Sequence, residues 1–175
     1  MTRTRCVLLL TLIGASAGLG CSDLSPASPI AEPQWTEALL NNGLGKGLLR
    51  CSATDPAITT QTVGAEGGML EIGPHLLTIP AGALTQPVEI TAEAPQDSVN
   101  SVRLLPEGLV FAEGKPASLT LGYRNCSPLA RLGLKRIAYT SDQLEVLELL
   151  PSIDDLLGQR ITTRLSHFSR YAISW

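Results

Sequence analysis

The chain has 175 residues, a formal net charge of −3 and only 4% aromatic residues. Arg131, Lys135 and Arg136 are the one close group of basic residues and read as a solvated loop, so the composition speaks against nucleic acid, which needs a clustered basic face. The scarcity of aromatics also leaves little material for the stacking platforms that hold sugars or single strands.

Residues 1–20 read as an address. Arg3 and Arg5 form a positive start, Val7 to Ile13 is apolar, and small residues continue to Gly20. The apolar stretch is shorter than the roughly 20 residues needed to span a bilayer. The preferred cleavage is before Cys21, with lipid on its thiol: Gly20 supplies the small residue such processing wants, although Gly18 stands where a leucine is usual and Leu19 comes one place late. The alternative is ordinary secretory cleavage after Ala17, giving a soluble secreted domain. Either way Arg3 and Arg5 leave with the signal, and the net charge falls from −3 to about −5.

Residues 21–50 follow as a lipidated cysteine and linker. SDLSPASPIAEP, from Ser22 to Pro33, is polar and punctuated by proline, which reads as a flexible tether. Trp35 to Leu49 is either loose linker with one turn of helix, ended by Asn41, Asn42 and Gly43, or a partner-binding segment. As coil, the roughly 29 residues from Ser22 to Arg50 would span roughly 30 Å.

Residues 51–175 form one domain, long enough for a single core. Short apolar runs broken by turn residues predict strands at Ile58–Val63, Met69–Ile72, Leu76–Ile79, Val88–Ala94, Ser101–Leu105, Ala117–Tyr123, Arg136–Thr140, Glu145–Leu150, Arg160–Leu165 and Phe168–Ile173. Gln143 to Leu150 fits neither period cleanly and has a helical alternative. Asp154 and Asp155 read as a solvated turn before Gly158. Short strands with turns about every ten residues predict an all-β, antiparallel β-sandwich.

The strings GGMLEIGPHLLTIPAGAL (Gly67 to Leu84), LPEGLVF (Leu105 to Phe111) and HFSRYAISW (His167 to Trp175) carry more than a fold class. Their succession resembles the ZU-5 domain, the β-sandwich module of zonula occludens protein, ankyrins and netrin receptors, and most closely its copies in bacterial surface lipoproteins. Matching positions include Gly67, Gly68, Ile79, Pro80, Gly82, Pro106, Gly108, Phe111, His167, Phe168, Ser169 and Tyr171, and the likeness runs from about Ile58 to the C-terminus. Cys51, Cys126 and everything up to Arg50 lie outside the family's common pattern.

The cysteines are therefore read on their own. Cys6 leaves with the signal, so Cys21, Cys51 and Cys126 remain. If Cys21 carries lipid, the other two form one disulfide in an oxidising exterior or stay as two buried thiols. A bridge would close about 75 residues, for which chain entropy suggests roughly 4 to 5 kcal/mol as an upper figure.

Chemistry-bearing motifs are scarce. The sequence lacks HExxH, a phosphate loop, GxSxG and CxxC, and His75 and His167 alone cannot complete a zinc site. No cofactor is implied. His167, Phe168 and Ser169 form the one constellation with chemical content. In a continuous strand, His167 and Ser169 would share a face with Ile161, Leu165, Tyr171 and Ile173, where they could satisfy each other's hydrogen bonds. Some ZU-5 domains cleave themselves within this tripeptide, and the resemblance implies Ser169 as nucleophile on the Phe168 carbonyl with His167 as base. The same residues serve non-cleaving relatives as a terminal strand, and that structural role is the preferred one. The expectation is a lipid-anchored, disulfide-linked module at the cell envelope, held to the membrane through Cys21, facing outside the cytoplasm and without turnover. Where a cell has two membranes, Ser22 after the lipidated cysteine fits the outer one.

Overall fold

The computed structural model describes residues 47–175. The signal peptide 1–20, the lipidation site Cys21 and the linker reading up to residue 46 lie outside the described residues.

Among the described residues, alternating burial and turn residues give eleven strands and one short helix: β1 (Ala57–Val63), β2 (Gly68–Ile72), β3 (His75–Ile79), β4 (Val88–Ala94), β5 (Ser101–Leu105), β6 (Ala117–Gly122), α1 (Pro128–Leu132), β7 (Arg136–Thr140), β8 (Val146–Leu150), β9 (Ser152–Asp155), β10 (Arg160–Leu165) and β11 (Arg170–Ser174). They form two antiparallel sheets, one in the order β1-β4-β5-β11-β7-β8 and the other β2-β3-β6-β10-β9. Leu70, Ile72, Leu77, Leu119 and Ile161 of the smaller sheet and Ile90, Val102, Leu104, Ile137, Tyr171 and Ile173 of the larger are fully buried or nearly so. These side chains share one hydrophobic core, and each such aliphatic side chain contributes about 1.5 to 3 kcal/mol by leaving water.

Turn chemistry fixes the hairpins. At Gly67, φ is +73°, and an added Cβ would run into the backbone of Ile79 and Pro80; only glycine admits both the conformation and the approach. Residues 146–150 are strand and not helix: β8 pairs with β7, with a register shift between Tyr139 and Thr140 that absorbs one extra residue. Two elements differ from the sequence expectation. Ser127 caps α1 by accepting from the Ala130 N–H at 3.3 Å, with Pro128 in the first turn. Asp154 and Asp155 do not form a solvated turn; they end β9, paired with Ile161 and Arg160 of β10.

The register sorts the loops into two ends. Gly122 of β6 lies opposite Arg160 of β10, and Ser174 of β11 opposite Arg136 of β7. The α1 loop, the β9–β10 turn and the C-terminus therefore share one end. The 80–87 and 106–116 loops and residues 166–169 share the other.

His75 closes the β2–β3 turn at the first end. It is buried, and its Nδ1 accepts from the Gly122 N–H at 3.2 Å. Burial lowers its pKa from 6.5 to about 4. The unfolded chain therefore takes up a proton below about pH 6.5 that the folded chain refuses until about pH 4. Stability from the neutral ring is complete above that window and falls through it as pH drops, by of order 3 kcal/mol in all. Urea melts from about pH 7 to about pH 4 check this: wild type should lose more stability on acidification than His75→Leu, and equal slopes would refute it.

Candidate functional site at the sheet crossover

The continuous run from Arg160 to Trp175 that would put His167 and Ser169 on one face is broken. β10 ends at Leu165 in the smaller sheet and β11 begins at Arg170 in the larger, so residues 166–169 carry the chain from one sheet to the other. His167 and Ser169 consequently do not share a strand face, and among the described residues no hydrogen bond joins the imidazole to the hydroxyl. This corrects the pairing expected from alternation.

Instead each residue of the tripeptide has separate partners. The His167 Nδ1 lies 3.1 Å from the Ser166 Oγ, and the half-buried ring packs edge-on against Tyr139 at a centroid distance of 5.3 Å. Phe168 is fully buried, edge-on to Phe111 at 5.3 Å. Its N–H donates to the Leu109 carbonyl at 2.9 Å, and its carbonyl accepts from the Gly108 N–H at 2.9 Å. The Ser169 hydroxyl donates to Glu107 Oε1 at 3.5 Å, and the Ser169 carbonyl accepts from the Leu104 N–H at 2.9 Å. The Tyr171 hydroxyl reaches back to the His167 carbonyl at 2.7 Å. Burial, with Tyr139 and Glu148 adding to it, raises the Tyr171 pKa, which keeps this donor protonated.

Three separated strings meet here. The 80–84 loop is tied in through the Gly82 N–H to Ala65 and the Ala83 carbonyl to the Ala112 N–H. The 106–111 loop embraces Phe168, and Gly108 adopts φ +78° as it presents its N–H. An open groove of about 420 Å³ borders them, lined by residues 83–86, Val88 and residues 109–112. On the outer surface Arg103, Glu107, Asp142 and Arg170 form ion pairs of 3.8 to 4.0 Å, solvent-screened contacts of small energetic weight.

What can this arrangement do chemically? The Gly108 N–H bonds the ground-state Phe168 carbonyl, the group on which an oxyanion would form if that peptide were attacked. The acceptor brought to the Ser169 hydroxyl is Glu107, and the His167 ring is engaged with Ser166. The tripeptide is thus a corner held by backbone bonds, with an aromatic core plug and one donor at its central carbonyl.

The cysteines and a polar cluster lie at the opposite end. Cys51 and Cys126 form a disulfide with Cα atoms 4.3 Å apart. Lys135, read from sequence as part of a solvated basic loop, is buried. Its ammonium donates to the carbonyls of Arg131 at 2.7 Å and Gly133 at 2.6 Å, sits 3.6 Å from Asp154 Oδ2, and lies 4.4 Å from the centre of the Tyr123 ring. The Tyr123 hydroxyl donates to Asp154 Oδ1 at 2.6 Å. Burial lowers the Lys135 pKa while Asp154 opposes that shift, and burial with Asp154 raises that of Tyr123. Sequence reasoning missed this cluster because its members are isolated along the chain. Among the described residues no group of three His, Cys, Asp or Glu is placed to hold a metal ion, and no helix is long and apolar enough to cross a membrane. Neither protein-family models nor curated proteins give a match to this chain.

Proposed function

We propose that the chain is a lipid-anchored, ZU-5-like β-sandwich of the cell envelope with a non-catalytic binding or structural role. The observation that carries this reading is the Cys51–Cys126 disulfide. Such bonds persist in oxidising compartments outside the cytoplasm, and this one uses two of the three cysteines that remain after a signal ending at residue 20, leaving Cys21 for lipid. The meeting of the 106–111 and 167–169 segments at Phe168, with the 80–84 loop bonded to Ala112 beside them, supports the ZU-5 resemblance through the strings that carry it. Metabolic labelling with a fatty-acid analogue tests the anchor. Label should appear on wild type and vanish in Cys21→Ala, which should move from the membrane to the soluble or unprocessed fraction; unlabelled wild type would favour the soluble secreted reading.

A second reading, single-turnover self-cleavage between Phe168 and Ser169, is favoured by one observation, the Gly108 N–H on the Phe168 carbonyl. The expected result is nevertheless an intact chain. Denaturing mass spectrometry should find no species ending at Phe168, and Ser169→Ala should leave the mass pattern unchanged while altering stability by about 1 kcal/mol. Loss of the seven-residue piece Ser169–Trp175 from wild type and not from Ser169→Ala would establish the cleaving reading.

A further inference from the structure

At the end of the sandwich opposite the crossover, two neighbouring loops expose large aliphatic side chains. Leu129 and Leu132 of α1 and Leu134 just after it are 80%, 75% and 84% exposed, and Leu157 of the β9–β10 turn is 96% exposed, beside exposed Leu156. Single surface leucines need no explanation, but a group of them on adjoining loops marks an interaction surface. The loops are held together from beneath by the Lys135–Asp154 pair, the Tyr123–Asp154 bond, and the Tyr123 N–H donating to the Gln159 carbonyl at 2.9 Å. This is a supported platform, and its leucines are spare to the core.

Two further observations choose its occupant. Charge at this end is mixed with a basic fringe: Arg124, Arg136 and Arg160 are exposed and Arg131 half-buried, against Asp55, Asp97 and Asp155. Asp155 is engaged through the Gly158 N–H at 2.8 Å. The other end exposes Glu66, Glu107, Glu113, Asp142 and Glu145, with Lys115 and Arg164 exposed and Arg103 and Arg170 half-buried among them, so both ends are mixed and Arg124, Arg136 and Arg160 form the local fringe beside the leucines. The described chain also begins here: the Gly47 carbonyl accepts from the Trp175 N–H at 3.2 Å, and the Trp175 ring lies against Gly133 directly after α1. Whatever path residues 22–46 take, the segment leading back to Cys21 joins the domain beside these loops. Aliphatic residues with an arginine fringe, next to the point of attachment, suit an interface with acidic headgroups, where apolar burial and electrostatic attraction act together.

We propose that this end of the sandwich is a membrane-docking face that lays Leu129, Leu132, Leu134, Leu156 and Leu157 against a bilayer carrying acidic lipids. Its role beside the anchor rests on the lipid-anchored reading, and it adds an orientation: the 166–169 crossover and its groove point away from the membrane.

Two arms test it separately from the anchor. In the first, the full mature chain, acylated on Cys21, is reconstituted in vesicles of phosphatidylcholine and phosphatidylglycerol with an environment-sensitive fluorophore on either Leu157→Cys or Glu113→Cys. Spin-labelled lipid should quench the first label and leave the second in water. In the second, the full mature chain carrying Cys21→Ala is pelleted with the same vesicles. Binding should weaken with salt and fall about tenfold or more when Leu132→Ser and Leu157→Ser are combined; both positions are exposed, so the fold should persist. Equal, water-like signals from both labels on acylated chain would overturn docking and leave the anchor standing. Salt-sensitive pelleting of Cys21→Ala together with no fatty-acid label on wild type would do the reverse. A label at position 157 that responds only when envelope proteins are added would mean a protein occupant and would overturn the proposal.

Discussion

Asp154→Ala is expected to lower stability by about 3 to 5 kcal/mol, because it strands a buried ammonium. The Lys135 side chain has 0% exposure and that of Asp154 only 9%, so water cannot replace the lost carboxylate. The two carbonyls and the Tyr123 ring would remain as dipolar partners, and the Tyr123 hydroxyl would lose its 2.6 Å acceptor. Replacing the group as a unit, with Lys135→Met, Asp154→Leu and Tyr123→Phe together, should recover most of the loss, since the cost lies in an unpaired charge and not in the absence of an ion pair. Urea unfolding of the single and combined variants measures the coupling directly. A cost below about 1 kcal/mol for Asp154→Ala would mean that the pair is solvated.

Opening the Cys51–Cys126 bond should be comparably severe. The bond spans 75 residues of sequence, from just before β1 to just after β6, so in the unfolded chain it restrains the segments that form three strands of each sheet. Chain entropy gives roughly 4 to 5 kcal/mol for such a loop, and native bonds of this kind typically contribute 2 to 5. Calorimetry with and without reductant, and of Cys51→Ala with Cys126→Ala, should show the melting temperature falling by roughly 10 °C. An unchanged midpoint with fully reduced thiols would refute this.

Much of the fold was legible because its strands obey local rules. β4, β5, β7 and β10 have the bounds predicted for them, since each couples an alternating run to a glycine, proline or polar turn. β9 escaped because Ser152-Ile153-Asp154-Asp155 reads as polar turn until Lys135 and Tyr123, remote in sequence, supply partners for Asp154. The same blindness made Lys135 look solvated between Arg131 and Arg136. For α1 the signal was present, a serine cap followed by proline at Ser127-Pro128, in a segment too short for helical periodicity to register. The crossover was invisible for a different reason: the apolar alternation of β10 continues in phase into β11, and only the pairing of β10 with β6 and of β11 with β5 and β7 reveals that the chain changes sheets between them.

The position of the disulfide also decides how the domain bears a pull. Tension arriving at Gly47 from the N-terminal side meets first the lateral bridges of Leu48 to Ser174 and Arg50 to Val99, which unzip one at a time. It then reaches Cys51, and the covalent bond hands the load to Cys126, bypassing the strands between them. From there the force runs into the end of β6, which lies between β3 and β10 and can be withdrawn only by shearing hydrogen bonds on both sides together. Reduction would reroute the same pull into β1, an edge strand that peels.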